Sequence, residues 1–256
     1  MKLKVATTIF SLFLAPFVFA DHRVELELDR VFIQPQGFDS NDNVQMTAVG
    51  MLANQCQQLA ASDVTYSASD KTFTIKQFAQ VRKTAECHQN ALPEHLRLSG
   101  QFYKDIELGV LNAGEYKIIY NNNGQQKVRT FVVRMANSQN TDDEIYAPVS
   151  DFFIPEMFYS SSNVRIALTG VLRSRCLEWK SVDIDRFEDV IVVIPKMKIV
   201  AVGCAESAIP LEKVVSIGAL EPGRYLIHVR SMNGQGLSRV VTVIQRPSDV
   251  GGRLPR

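Results

Sequence analysis

Tryptophan occurs once in these 256 residues, and histidine and cysteine four times each. With so few histidines and cysteines, a site built on them has little to draw on, and the recognisable motifs are missing. No G-x-S-x-G, P-loop, H-E-x-x-H or paired C-x-x-C occurs, which removes the marked nucleophile, phosphate and zinc sites. No apolar period of 3.6 persists for twelve residues, so little or no helix is expected. Neither sign of charge dominates: 28 basic side chains stand against 27 acidic ones. A balance of that kind supplies no field for gathering nucleic acid or anionic lipid.

Only one long apolar run is present, Val5 to Phe19, and it sits behind Lys2 and Lys4. Val18-Phe19-Ala20 places small residues at the −3 and −1 positions of a cut, so residues 1–20 read as a cleaved signal peptide. Pro16 and three hydroxyl residues make that run too short for a membrane span. Without Lys2 and Lys4 the basic count becomes 26 against 27 acidic side chains. No membrane span is expected in the mature chain, which is placed in the periplasm or the medium.

What the chain has is a duplication. G-x-L-x-x-G-x-Y is spelled at 109–116 and again at 218–225. Offset by 120, Asn43-Val44, Gly50 and Cys56 fall on Asn163-Val164, Gly170 and Cys176. Offset by 117, Cys87 and Pro93 fall on Cys204 and Pro210. A copy of about a hundred residues is a domain rather than a solenoid unit. The resulting plan is 1–20 signal peptide, 21–136 first domain, 137–146 polar linker, 147–246 second domain and 247–256 disordered tail. One cysteine pair recurs per copy, which predicts Cys56–Cys87 and Cys176–Cys204, as expected of an exported protein. Loops of that length stabilise by roughly 3–4 kcal/mol in the chain-entropy model.

Both copies read as β. Val164, Ile166 and Leu168 alternate with polar residues, Val190 to Ile194 is a continuous apolar run, and Tyr225, Ile227 and Val229 mark another face. Glu221-Pro222-Gly223-Arg224-Tyr225 resembles the tyrosine corner of immunoglobulin-like domains, and the related turn of fibronectin type III domains. The resemblance implies an all-β chain of two tandem Ig-like antiparallel sandwiches with one disulfide each. It gives Tyr116 and Tyr225 a structural hydroxyl bond, and Gly114 and Gly223 a positive φ. Ile118 and Ile227 stand where the antibody pattern has its second cysteine, so the disulfides are not the buried pin of that family.

Candidate sites are sparse. His88 and His95 flank Pro93 in the first copy and are weak metal candidates beside Glu86 and Glu94. Asp39-Ser40-Asn41-Asp42-Asn43 resembles the calcium-ligand motif of cadherins, which makes Asp39 and Asp42 weak candidates too, although Asp and Asn also cap turns. His228 is expected on an exposed face. The better lead for binding is aromatic: Phe102 and Tyr103 in an insertion of about eight residues (Glu94 to Lys104), Phe153, Phe158 and Tyr159 at the entry to the second copy, and Trp179 in a loop after Cys176. The competing role for all of them is packing at core edges. No cofactor is implied. The expected function is that of a non-enzymatic exported protein engaging an unknown protein or envelope component. A sandwich-type protease inhibitor is the nearest variant, and a hydrolase or metal-dependent enzyme near the first-copy insertion is the rival.

Overall fold

The computed structural model describes residues 22–81, 100–160 and 163–246. The leader, the tail, Cys87, His88 and His95 lie outside the described residues, and what was expected of them stays an expectation. No α-helix occurs among the described residues, whose strands form four sheets.

The first copy supplies β1 (His22–Leu26), β2 (Leu28–Phe32), β3 (Phe38–Asp39), β4 (Asn43–Met51), β5 (Gln57–Leu59), β6 (Asp63–Ser67), β7 (Thr72–Val81), β8 (Gln101–Val110), β9 (Gly114–Asn122) and β10 (Gln125–Arg134). The second supplies β11 (Val149–Phe153), β12 (Met157–Tyr159), β13 (Val164–Ser174), β14 (Leu177–Phe187), β15 (Val190–Ile199), β16 (Glu206–Gly218), β17 (Gly223–Arg230) and β18 (Gly236–Ile244). In the first copy a sheet β2-β4-β8 faces a larger one ordered β1-β7-β9-β10-β3, with β5 and β6 also paired to β7. In the second, β11-β13-β16 faces β12-β18-β17-β15-β14. The alternation read from sequence fills the space between: Val44, Met46, Phe73, Ile75, Tyr116 and Ile118 in one core, Ile166, Leu168, Ile191, Val193, Ile227 and Val229 in the other.

Strictly antiparallel sheets are not what forms. β15 runs parallel to β17, and β7 parallel to β9, while β14 and β6 take the outer positions. In the immunoglobulin order the strand that follows B lies against F, antiparallel to it. Here the second strand of that hairpin has taken the inner place. Composition supplies the reason. Val190, Ile191, Val192 and Val193 are all at most 1% exposed, so β15 is apolar on both faces and needs neighbours on both edges and both sides. Its partner β14 carries Glu178, Lys180, Asp183 and Asp185, which suit an edge.

The duplicated glycines have two separate uses. Gly109 and Gly218 take φ of +81° and +74°, where the chain leaves its long strand for the corner. Gly223 has no positive φ, which corrects the expectation for that position; Gly114 lies at +156°. Gly50 and Gly170 solve a contact problem instead: a Cβ on them would stand 2.8 Å from Glu27 O and 2.0 Å from Pro148 O. β2 crosses β4 and β11 crosses β13 there, and both crossings carry a register shift.

Cys176 and Cys204 are bonded, with Cα atoms 5.8 Å apart, and so tie the base of the β14–β15 hairpin. Cys56 is 2% exposed. The polar stretch 137–146, expected as a linker, is tied down at several points. Asn41 Nδ2 donates to Ser138 O and Asn140 O (3.1 and 2.7 Å), and Asp142 accepts from the backbone N–H of Asn233 and Gly234 (2.6 and 2.9 Å). Lys196, close to Glu144 and 2.8 Å from Asp183, is held well above the usual lysine range by those carboxylates.

The two copies also meet directly. Phe32 and Val49, on the outer face of β2-β4-β8, pack with Val190, Val192, Leu226 and Val240 on the outer face of the five-stranded sheet. The sheets therefore stack four deep, with this seam in the middle. Ion pairs surround it: Asp189 accepts from Arg30 (3.0 Å) and Arg129 (2.6 Å), and Arg230 pairs with Asp42.

His228 lies at this seam and is partly buried, not exposed as expected, because the strand alternation that turns it away from the core of its own copy turns it toward the other copy. Its Nδ1 is 3.0 Å from Ser238 Oγ. Burial, reinforced by Arg230, lowers its pKa from 6.5 to about 4. A depressed histidine resists protonation in the folded state, so its contribution is complete above pH 6.5 and is lost as pH falls toward 4. The shift limits that loss to about 3 kcal/mol. Asp42 works the other way: its pKa is raised by burial despite Arg230, so its proton uptake offsets part of the loss at the acid end. Chemical denaturation at pH 7 and pH 4.5 checks this. His228→Gln, which keeps a polar group and cannot titrate, is expected to flatten the pH dependence.

Candidate functional site

Three of the six aromatic candidates pack with the cores. Phe102 lies in β8, not in a loop, and is 6% exposed, its ring against Gly50. Trp179 lies in β14 rather than a loop; it packs against the second core, and Lys213 Nζ sits 5.8 Å from its ring. Phe158 packs against the same core from β12. Tyr103 stands beside the seam, where Gln101 bridges it to Arg224 at 2.7 Å on one side and 2.9 Å on the other. Tyr159 is exposed, and Phe153 is 70% exposed.

The tyrosines of the repeated motif behave as a pair. Tyr116 Oη donates to Asn112 O (2.7 Å) and Tyr225 Oη to Glu221 O (3.1 Å), each four residues upstream. Both bonds reach backward across the turn, as a tyrosine corner does. The acidic turn is likewise occupied by its own fold. Asp42 Oδ2 accepts from Asp39 N (3.0 Å) and its other oxygen meets Arg230, while Asp39 Oδ1 accepts from Asn41 N (3.2 Å). Among the described residues no three His, Cys, Asp or Glu side chains gather where a metal ion would sit.

The feature that invites a ligand is a strand edge. β9 and β10 pair along their whole length through a two-residue turn, Asn123-Gly124, with φ of +49° and +68°. On its other side, among the described residues, the only strand paired with β10 is β3, at Val133 and Arg134. Pro35-Gln36-Gly37 interrupts the chain that would otherwise have continued the pairing. Val132 N donates to Pro35 O (2.9 Å), which fixes the direction in which the even-numbered residues of β10 point their backbone groups. Gln126, Val128 and Thr130 turn theirs the same way, and no backbone group among the described residues meets them.

That edge lines a groove of about 530 Å³ between the copies, walled by Ile33 and Pro35 on one side and by Phe187, Glu188 and Asp189 on the other. Its cations are engaged: Arg129 by Asp189, and Arg186 by Ile217 O and Ala219 O. The groove therefore offers main-chain donors and acceptors beside apolar walls, with no acid–base pair set for chemistry. No side chain marks this site in the sequence; its one signal there is the Pro35/Gly37 break between two short strands.

No family model, curated protein or solved structure matches the chain.

Proposed function

We propose that this is an exported, non-enzymatic binding protein of the periplasm or medium, built from two tandem Ig-like sandwiches with one exchanged hairpin each. It holds an extended segment of another envelope or extracellular macromolecule along the open edge of β10. The unpaired backbone of Val128 and Thr130 beside the inter-copy groove carries this reading, since an unpaired edge takes a further strand through main-chain bonds. Two other features support it. The Cys176–Cys204 bond is compatible with an oxidising compartment, and no helix among the described residues is long and apolar enough to cross a membrane.

Proline substitution tests the edge without disturbing the fold, because the N–H removed from Val128 or Thr130 points away from β9. The mature protein, immobilised and exposed to its own envelope extract or culture fluid, is expected to retain a partner. Val128→Pro and Thr130→Pro are expected to lose it by about tenfold or more, the equivalent of one net main-chain bond or two. Equal retention by the proline variants, or no retention by the natural chain, refutes the reading.

A further inference from the structure

The duplication allows each exposed face to be compared with its twin. Phe32 pairs across the sheet with Thr47, and Thr47 with Asp105; Phe153 pairs with Ala167, and Ala167 with Val214. Phe153 is thus the counterpart of Phe32, on the same face of the same three-stranded sheet. Phe32 is completely buried in the seam between the copies, whereas Phe153 is 70% and Val214 67% exposed. In the first copy this face docks on a sheet. In the second copy it is more apolar, with Ala167 and Val214 replacing Thr47 and Asp105, and it is bare.

A head-to-tail repeat of the seam would set this face on the first copy's large sheet in a neighbouring chain. The backbone bonds Lys117 N to Lys71 O (3.0 Å) and Leu226 N to Asp189 O (2.8 Å) align the two large sheets. Where the second copy has Val190, Val192, Leu226 and Val240, the first then has Thr72, Thr74, Lys117 and Thr130. That surface does not match an exposed phenylalanine, so endless stacking is disfavoured.

The face matches itself. The row Phe153–Ala167–Val214 crosses all three strands. Two residues to one side, Thr169 lies between Asp151 and Glu212; two residues to the other side of Ala167 lies Arg165. A two-fold axis along the row exchanges these sides. Phe153 and Val214 then meet their own copies, and each Arg165 lands over the partner's Thr169 between its two carboxylates. Asp151 Oδ1 accepts from the exposed Arg239 (2.9 Å) and from Phe152 N (2.8 Å), its one ion pair being with Arg239, and Arg165 and Glu212 have no ion-pair partner among the described residues. We propose that the outer face of β11-β13-β16 is the subunit interface of a symmetric homodimer, its axis lying along the Phe153–Ala167–Val214 row. The occupant is a second copy of this chain, and the contact leaves the β10 groove out, so the two readings fail independently.

Sedimentation equilibrium of the mature chain decides it. A reversible dimer with Kd in the micromolar range is expected, about −8 kcal/mol of association. Phe153→Glu gives a monomer with unchanged melting, because the residue makes little contact within its own chain. Arg165→Glu weakens the dimer by about tenfold or more. Mixing Arg165→Glu with the Asp151→Lys/Glu212→Lys chain restores a one-to-one heterodimer, since each arm of the pair then finds its opposite charge. A natural chain that stays monomeric into the hundred-micromolar range overturns the proposal, as does a dimer that survives Phe153→Glu or an assembly that grows beyond two.

Discussion

Arg230→Ala is expected to destabilise the protein by about 3–5 kcal/mol, because it leaves the Asp42 carboxylate buried without its counter-charge. Asp42 has a side chain 4% exposed and Arg230 one 15% exposed, so water cannot take over. The damage extends beyond one pair. Arg230 also stacks on Tyr146, 4.9 Å from the ring centre, and Asp42 closes the turn that positions Asn41 against the 138–140 carbonyls. Asp42→Asn should cost less, since the amide keeps the hydrogen bond from Asp39 N and the charge left unpaired, on Arg230, is the more exposed of the two and lies over the Tyr146 ring. Urea unfolding of the three proteins at pH 7 gives the comparison. Equal stability of Arg230→Ala and the natural chain would mean that the pair is solvated and the seam is open.

The twin phenylalanines give the second large effect. Phe32→Ala should cost about 3–5 kcal/mol, the range for emptying a buried aromatic site. Phe153→Ala, on the same face of the other copy, should change the stability of the monomer by less than about 0.5 kcal/mol. The contrast is internal: residue type, strand position and neighbouring sheet are matched, and only the covering layer differs. Thermal melts at a concentration low enough to hold the chain monomeric check it. Similar losses from both substitutions would show that Phe32 owes its burial to its own copy and not to the seam.

Much of this could be read from the residues. Alternation assigned Ile166, Leu168, Ile227 and Val229 to a core because a strand has only two faces, and one of them must be apolar. The repeated tyrosines announced a corner because a hydroxyl placed four residues after a free carbonyl can reach back to it. Cys176 and Cys204 were paired because they recur with their partners once per copy. Alternation fails one level higher, since it tells which side a residue takes and not what lies on that side. His228 and Phe32 both face away from their own core, and both are covered by the other copy. The exchanged hairpin was present as the Val190–Val193 run, apolar on both faces, but assigning it an inner position needed the knowledge that a second layer packs against that sheet. Trp179 and Phe102 fall outside the apolar runs nearest them because the strands that carry them are longer than those runs. The open edge of β10 was hidden for a different reason, as backbone N–H groups have no letter in a sequence.

The parallel pair β15–β17 has a consequence for how the chain reaches its native state. Two strands joined by a tight turn meet as soon as the turn forms, but β15 and β17 have all of β16 between them. The inner strand of the hairpin must therefore stay unpaired on one edge, valines exposed, until a distant segment arrives, and topologies rich in such pairings fold slowly. The Cys176–Cys204 bond encloses β14 and β15 and nothing else. Once oxidised it presents them as a closed ribbon, which shortens the search left to β17. Until that bond forms the most aggregation-prone strand stays exposed, and slower, less complete refolding of the reduced protein is the sign of it.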